Sequence, residues 1–96
     1  MPETRTLSVL IQGEVFQAGL RSAIQRQATR LCLRGHVRAR PDRTLELLAA
    51  GQADSLERLL QDLKASPAAA GFERVIVDWS DQPVAEGRFT ISYGDW

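Results

Sequence analysis

The chain has 96 residues, 44% of them apolar, enough for one domain spanning 1–96 around a single two-layer core. Twelve basic and twelve acidic side chains cancel, so composition argues against tight nonspecific nucleic-acid binding. Cys32 and His36 are the only cysteine and the only histidine, which excludes an internal disulfide and a cysteine or histidine metal cluster.

In chain order, Leu7, Val9 and Ile11 alternate as one face of a strand. A loop marked by Gly13 and Gly19 follows, and Leu20-Arg21 enters a helical pattern. Leu20, Ala23, Ile24, Ala28 and Leu31 form the apolar stripe of that first helix. Arg26, Arg30 and Arg34 fall on another face, read as solvated. Cys32 is expected as a small packing residue, and His36 as a partly exposed strand histidine. Gly35 to Arg40 reads as a short strand with Val37 and Ala39 on one side. Pro41-Asp42-Arg43 is a turn, and Leu45, Leu47 and Ala49 form the hairpin partner.

A second helix starts near Ala53 or Asp54, with Leu56, Leu59, Leu60 and Leu63 at helical spacing. Ser66-Pro67 stops it, because proline lacks the N–H donor and restrains its predecessor. Ala68 to Gly71 is a connector. Val75, Val77 and Trp79 make a strand, with Trp79 expected in the core. Phe89, Ile91 and Tyr93 make a last strand, and Trp96 is expected to pack at the terminus. The order predicts an α+β fold, a ferredoxin-like βαββαβ sandwich with an antiparallel sheet and two helices on one face. An extra terminal strand is compatible with it.

The chemistry concentrates between Leu7 and Arg21. A loop entering a helix N-terminus presents N–H groups and the positive end of the helix dipole. Arginine in the first turn adds a planar fork that fits a phosphate or a carboxylate. Charge agrees: residues 1–43 carry eight arginines against Glu3, Glu14 and Asp42, a surplus of five. The expected partner is a small phosphorylated or carboxylate anion. No apolar run approaches the ~20 residues of a membrane span. Met1 to Arg5 lacks a signal-peptide pattern, so a cytoplasmic location is expected.

The segment Gly13-Glu14-Val15-Phe16-Gln17-Ala18-Gly19-Leu20-Arg21 resembles the acylphosphatase signature Gly-x-Val-Gln-Gly-Val-Gly-Phe-Arg. Thirteen residues then separate Arg21 from Gly35, and Gly35-His36-Val37-Arg38-Ala39 sits where that family has Gly-Trp-Val-basic-Asn. The resemblance implies hydrolysis of carboxyl-phosphate anhydrides without metal or cofactor. It implies phosphate binding by Val15, Phe16, Gln17, Ala18, Gly19, Leu20 and Arg21. It assigns the catalytic positions to Arg21 and Ala39. Ala39 falls where the family's water-positioning asparagine stands, and a methyl group neither donates to nor accepts from water. Weak or lost hydrolysis with retained phosphate binding is therefore expected. Gln17 replaces a loop glycine, Leu20 a phenylalanine, and Cys32 a glycine near the end of the first helix. Two alternatives remain open. One is an active enzyme in which Arg38, Arg40 or Gln17 orders the water. The other is a protein- or RNA-interaction domain, against which stands the lack of aromatics in Thr44–Ala50.

Overall fold

A computed structural model of the chain describes residues 4–15, 19–84 and 87–92. Strand β1 (Thr4–Gly13) leads into helix α1 (Leu20–Arg30). A hairpin of β2 (Arg34–Ala39) and β3 (Thr44–Gln52) follows, then helix α2 (Ala53–Ala65). A 3₁₀ turn over Pro67–Gly71 joins α2 to β4 (Phe72–Ser80), and β5 (Phe89–Ser92) ends the described chain. The segment expected as a plain connector is thus a short helix, begun by Pro67 in the first-turn position that proline suits. Tyr93 and Trp96 lie outside the described residues.

The sheet runs β4-β1-β3-β2-β5. The first four strands are antiparallel to their neighbours, whereas β5 pairs with β2 in parallel, Val37 beside Ile91. The mixed edge has a topological cause. β4 ends beside Thr6, near the start of β1. β5 begins beside Gly35, near the start of β2. The chain crosses the sheet without changing ends, so β5 must run with β2. The crossing is pinned where the Thr6 hydroxyl donates to the Gln82 carbonyl and Arg34 Nε donates to the Val84 carbonyl. Arg34 therefore opens β2 instead of continuing the solvated helix face, on which Arg26 and Arg30 are exposed.

Period-2 alternation sets the core. Leu7, Val9, Ile11, Val37, Ala39, Leu45, Leu47 and Ala49 are all fully buried beneath the helices. Leu20, Ile24 and Ala28 from α1 and Leu56, Leu59 and Leu63 from α2 complete it. Ala23 and Leu31, at the margins of the expected stripe, are exposed and half-buried. Trp79 is half-buried against this core, with Arg5 over its ring at 5.9 Å. No helix among the described residues is long and apolar enough to cross a membrane.

Candidate functional site

β1 ends and α1 begins at one end of the sheet. β2 runs parallel to β1, both being antiparallel to β3, so Ala39 closes β2 at that same end. Contacts of α1 run to β2 and β5. The topology therefore brings the first turn of α1, with Arg21, to the end of the molecule where Ala39 stands.

The entry to the loop is closely packed. Gly13 has φ of 123°, and a Cβ there would lie 2.5 Å from the Gly71 carbonyl oxygen. Only glycine lets the chain pass this close while the Glu14 N–H donates to that carbonyl at 2.9 Å. The Val15 N–H donates to the Gly13 carbonyl at 2.9 Å, and the Val15 side chain is buried in the core. Val15 thus anchors the loop, with its N–H already used within the chain. Phe16, Gln17 and Ala18 lie outside the described residues.

At the exit, Gly19 is the N-cap of α1 with φ of 80°. The first intrahelical N–H is that of Ala23, which donates to the Gly19 carbonyl at 2.9 Å. The N–H groups of Leu20, Arg21 and Ser22 accordingly have no acceptor within the helix. Among the described residues no side chain caps α1, and its first turn holds no acid. Arg21, half-buried, sits there instead. The contrast with α2 is instructive, since α2 has Asp54 in its first turn and Lys64 in its last, the arrangement a helix dipole favours. A cation in the first turn of α1 opposes that dipole. Arg21 therefore stands at the positive end of the α1 dipole.

Ala39 is fully buried and pairs with Leu45. Its neighbours Arg38 and Arg40 point the other way, onto the open face of the sheet. There both donate to Glu46, Arg38 Nη2 at 2.9 Å from Oε2 and Arg40 Nη2 to Oε1. His36 Nε2 lies 3.2 Å from the same carboxylate. Arg38 and Arg40 thus occupy the face opposite to Ala39: one residue of offset along a strand reverses the face. Burial pushes the Glu46 carboxyl up, but the hydrogen bond with His36 and the charges of Arg40 and Arg38 outweigh it, and the net shift is downward. His36 is partly exposed, as expected, and the Glu46 ion cluster is the feature that sequence reading missed. Its signal was available, because positions 36, 38 and 40 share one face with 46 across the hairpin.

Cys32 departs from expectation. It is exposed, not packed, and holds φ of 58°. Arg43 in the β2–β3 turn holds φ of 66°, and its guanidinium lies 3.2 Å from Glu14.

The acylphosphatase family model matches residues 7–91. Among curated relatives, an acylphosphatase from Salinibacter ruber is 39% identical over 87 residues, covering 91% of this chain and 92% of that protein. One from Thermus thermophilus is 35% identical over 81 residues, covering 84% and 92%. The crystal structure of acylphosphatase from Bacillus subtilis superposes with a TM-score of 0.83 at 26% identity, covering 93% of this chain and 99% of that one. Whole-chain coverage, the shared fold and the placement of the loop before α1 agree, and the chain belongs to the acylphosphatase family.

Proposed function

We propose that the protein binds acyl phosphates by their phosphate group at the loop Phe16 to Arg21, and that it hydrolyses them weakly or not at all. The observation that carries the reading is the first turn of α1. Among the described residues it has no side-chain cap and no acid, and it carries Arg21 where a helix dipole disfavours a cation. A bound phosphate offsets both. Val15 supports the loop from the core, and Gly19 lets it turn into the helix. The resemblance supplies the rest: water would attack phosphorus in line, the bond to the acyl oxygen would break, and its electron pair would leave on the carboxylate. The proton of the water passes to solvent. The leaving group is already good, so orientation of the water is what the protein must add.

Ala39 lacks a group for that task. The defect is expected to cost ~10²–10³ in rate, by analogy with loss of one oxyanion-hole donor. Arg38 and Arg40 are held on the opposite face by Glu46, and Gln17 lies outside the described residues. Reduced turnover is therefore favoured over a fully active enzyme.

Turnover of acetyl phosphate without metal, together with protection of the fold by inorganic phosphate, tests the reading. Phosphate should raise the melting temperature, and Arg21→Ala should abolish that protection. Ala39→Asn should raise hydrolysis by up to about a hundredfold. Wild-type turnover at the level of an intact relative would overturn the impairment. Absence of phosphate protection would overturn the site.

A further inference from the structure

The helices cover one face of the sheet, and among the described residues no second layer covers the other. The crossing held by Thr6 and Arg34 lies over one end of that open face. Beyond it, Leu10 and Leu48 are half-buried, and Ile76 is 40% exposed. Leu10 pairs with Ile76 on one side and with Glu46 on the other, while Leu48 pairs with His36. An apolar strip over β4, β1 and β3 therefore borders β2.

The outward side chains of β2 are all basic. Arg34, His36 and Arg38 alternate along it, and Arg40 continues the series past its end. Alternate residues of a strand stand ~6.6 Å apart, so the ridge runs for about 20 Å. One carboxylate, Glu46, serves His36, Arg38 and Arg40. The side chains of Arg38 and Arg40 stay 36% and 38% exposed. Each guanidinium keeps donors to spare, because Glu46 accepts from one nitrogen of each. On this face Arg34, Arg38, Arg40 and Arg74 stand against Glu46 and Asp78, a surplus of two with His36 neutral, although the whole chain carries no net charge.

The layout discriminates among the partners that suit a basic face. Single-stranded nucleic acid is held by stacking on aromatic rings as well as by charge, and no aromatic side chain stands on this face among the described residues. A second copy of the chain would set like charges against each other. An extended protein segment has the same ~6.6 Å period as the ridge. Laid over β3, it sends alternate side chains toward β2 and toward Leu10 and Ile76. We infer that the open face docks an extended protein segment in which acidic and apolar residues alternate, its carboxylates on the β2 ridge and its apolar side chains on Leu10, Leu48 and Ile76. Charge complementarity carries the choice. Glu46 is then an internal competitor, holding donors that the partner's carboxylates take up. The surface lies across the sheet from α1 and does not depend on the proposed phosphate site.

The probe is a fluorescein-labelled peptide, Glu-Leu-Glu-Val-Glu-Leu-Glu, added to the full chain at low ionic strength and read by fluorescence anisotropy. Its affinity should fall as salt is added, and should drop about tenfold in the double variant Arg38→Gln, Arg40→Gln. Glu46→Gln should bind it about threefold tighter, a gain that a merely structural carboxylate would not give. Thermal melts check that each variant is folded under the assay conditions. Should the double variant unfold, Arg40→Gln alone, past the end of β2, carries the test with about a threefold loss. A peptide with glutamine in place of every glutamate should bind about tenfold more weakly or not at all. Equal affinity for the two peptides, affinity that survives loss of the arginines, or no gain in Glu46→Gln would overturn the inference. So would tighter binding of an oligouridylate of matched length or of phosphatidylserine vesicles, or a dimer of the free chain that the double variant disperses.

Discussion

Cys32 and Arg43 hold left-handed backbone angles of 58° and 66° without being glycine. Each conformation costs on the order of 1 kcal/mol for a residue with a Cβ. Cys32 closes α1 just after its C-cap, Leu31, and its side chain is exposed, so little packing offsets the strain. Cys32→Gly is expected to stabilise the protein by about 1 kcal/mol, a rise of roughly 4–8 °C in a thermal melt of a domain this size. An unchanged or lower melting temperature would mean that the thiol makes a contribution its exposure does not suggest. Ala39 sets a second constraint at the scale of one residue. Its methyl is fully buried, so an asparagine there must find a hydrogen-bond partner or lose about 1–3 kcal/mol of stability. Ala39→Asn should therefore show its gain in hydrolysis together with a lower melting temperature in the absence of ligand, and phosphate should recover part of that loss.

Strand parity decides which side chains face the helices and which face the open side of the sheet. Val37 and Ala39 face the helices, while His36, Arg38 and Arg40 face outward and converge on Glu46. Glu46 titrates below its ordinary value in the fold. Its contribution is thus fully present above the ordinary glutamate range and is lost as pH falls through the lowered value. Glu46→Gln is expected to destabilise by about 1 kcal/mol near neutrality, since its partners are partly solvated. Melting curves recorded from neutral to acid pH should converge for the two proteins at the acid end. A constant gap would show that shape, not charge, is responsible. The end of β1 is less forgiving. Gly13→Ala drives a Cβ against the Gly71 carbonyl and the Glu73 nitrogen, at 2.5 and 2.7 Å, with φ at 123°. A loss of about 3 kcal/mol is expected in denaturant unfolding, and phosphate protection should weaken with it because the loop starts there.

Across the molecule, β4 and β5 occupy opposite edges of the sheet. Phe89 is 2% exposed although it lies on the edge strand β5. Gln25 on α1 donates to its carbonyl at 3.3 Å. The last strand therefore secures α1 from beneath as well as closing the β2 edge. Phe89→Ala is expected to cost about 3–5 kcal/mol, a large share of the ~5–15 kcal/mol typical of a domain. Equilibrium unfolding would check it, and a loss below 1 kcal/mol would show that β5 is dispensable. Arg21→Ala, at a half-buried position beside the loop, should by contrast remove phosphate protection with a much smaller change in unliganded stability.

The amphipathic periods of α1 and α2, the alternation of Leu7-Val9-Ile11 and Leu45-Leu47-Ala49, and the stop at Ser66-Pro67 were all legible in the sequence. Each is a local consequence of side-chain pattern and backbone chemistry. The spacing from Gly13 to Arg21 to Gly35 carried the family in the same way. Other features depended on contacts between distant segments. Parallel pairing of β5 with β2 follows from where the crossing begins and ends. The close pass of Gly13 by Gly71 sets the entry to the loop. The capture of Arg38 and Arg40 by Glu46 depends on hairpin register, which turns both side chains to the face opposite Ala39. Sequence by itself determined that a glycine-marked loop leads into a helix with Arg21 in its first turn. Tertiary structure decided that Ala39 faces the helices while its basic neighbours face outward, because a strand can present only every second side chain to one face.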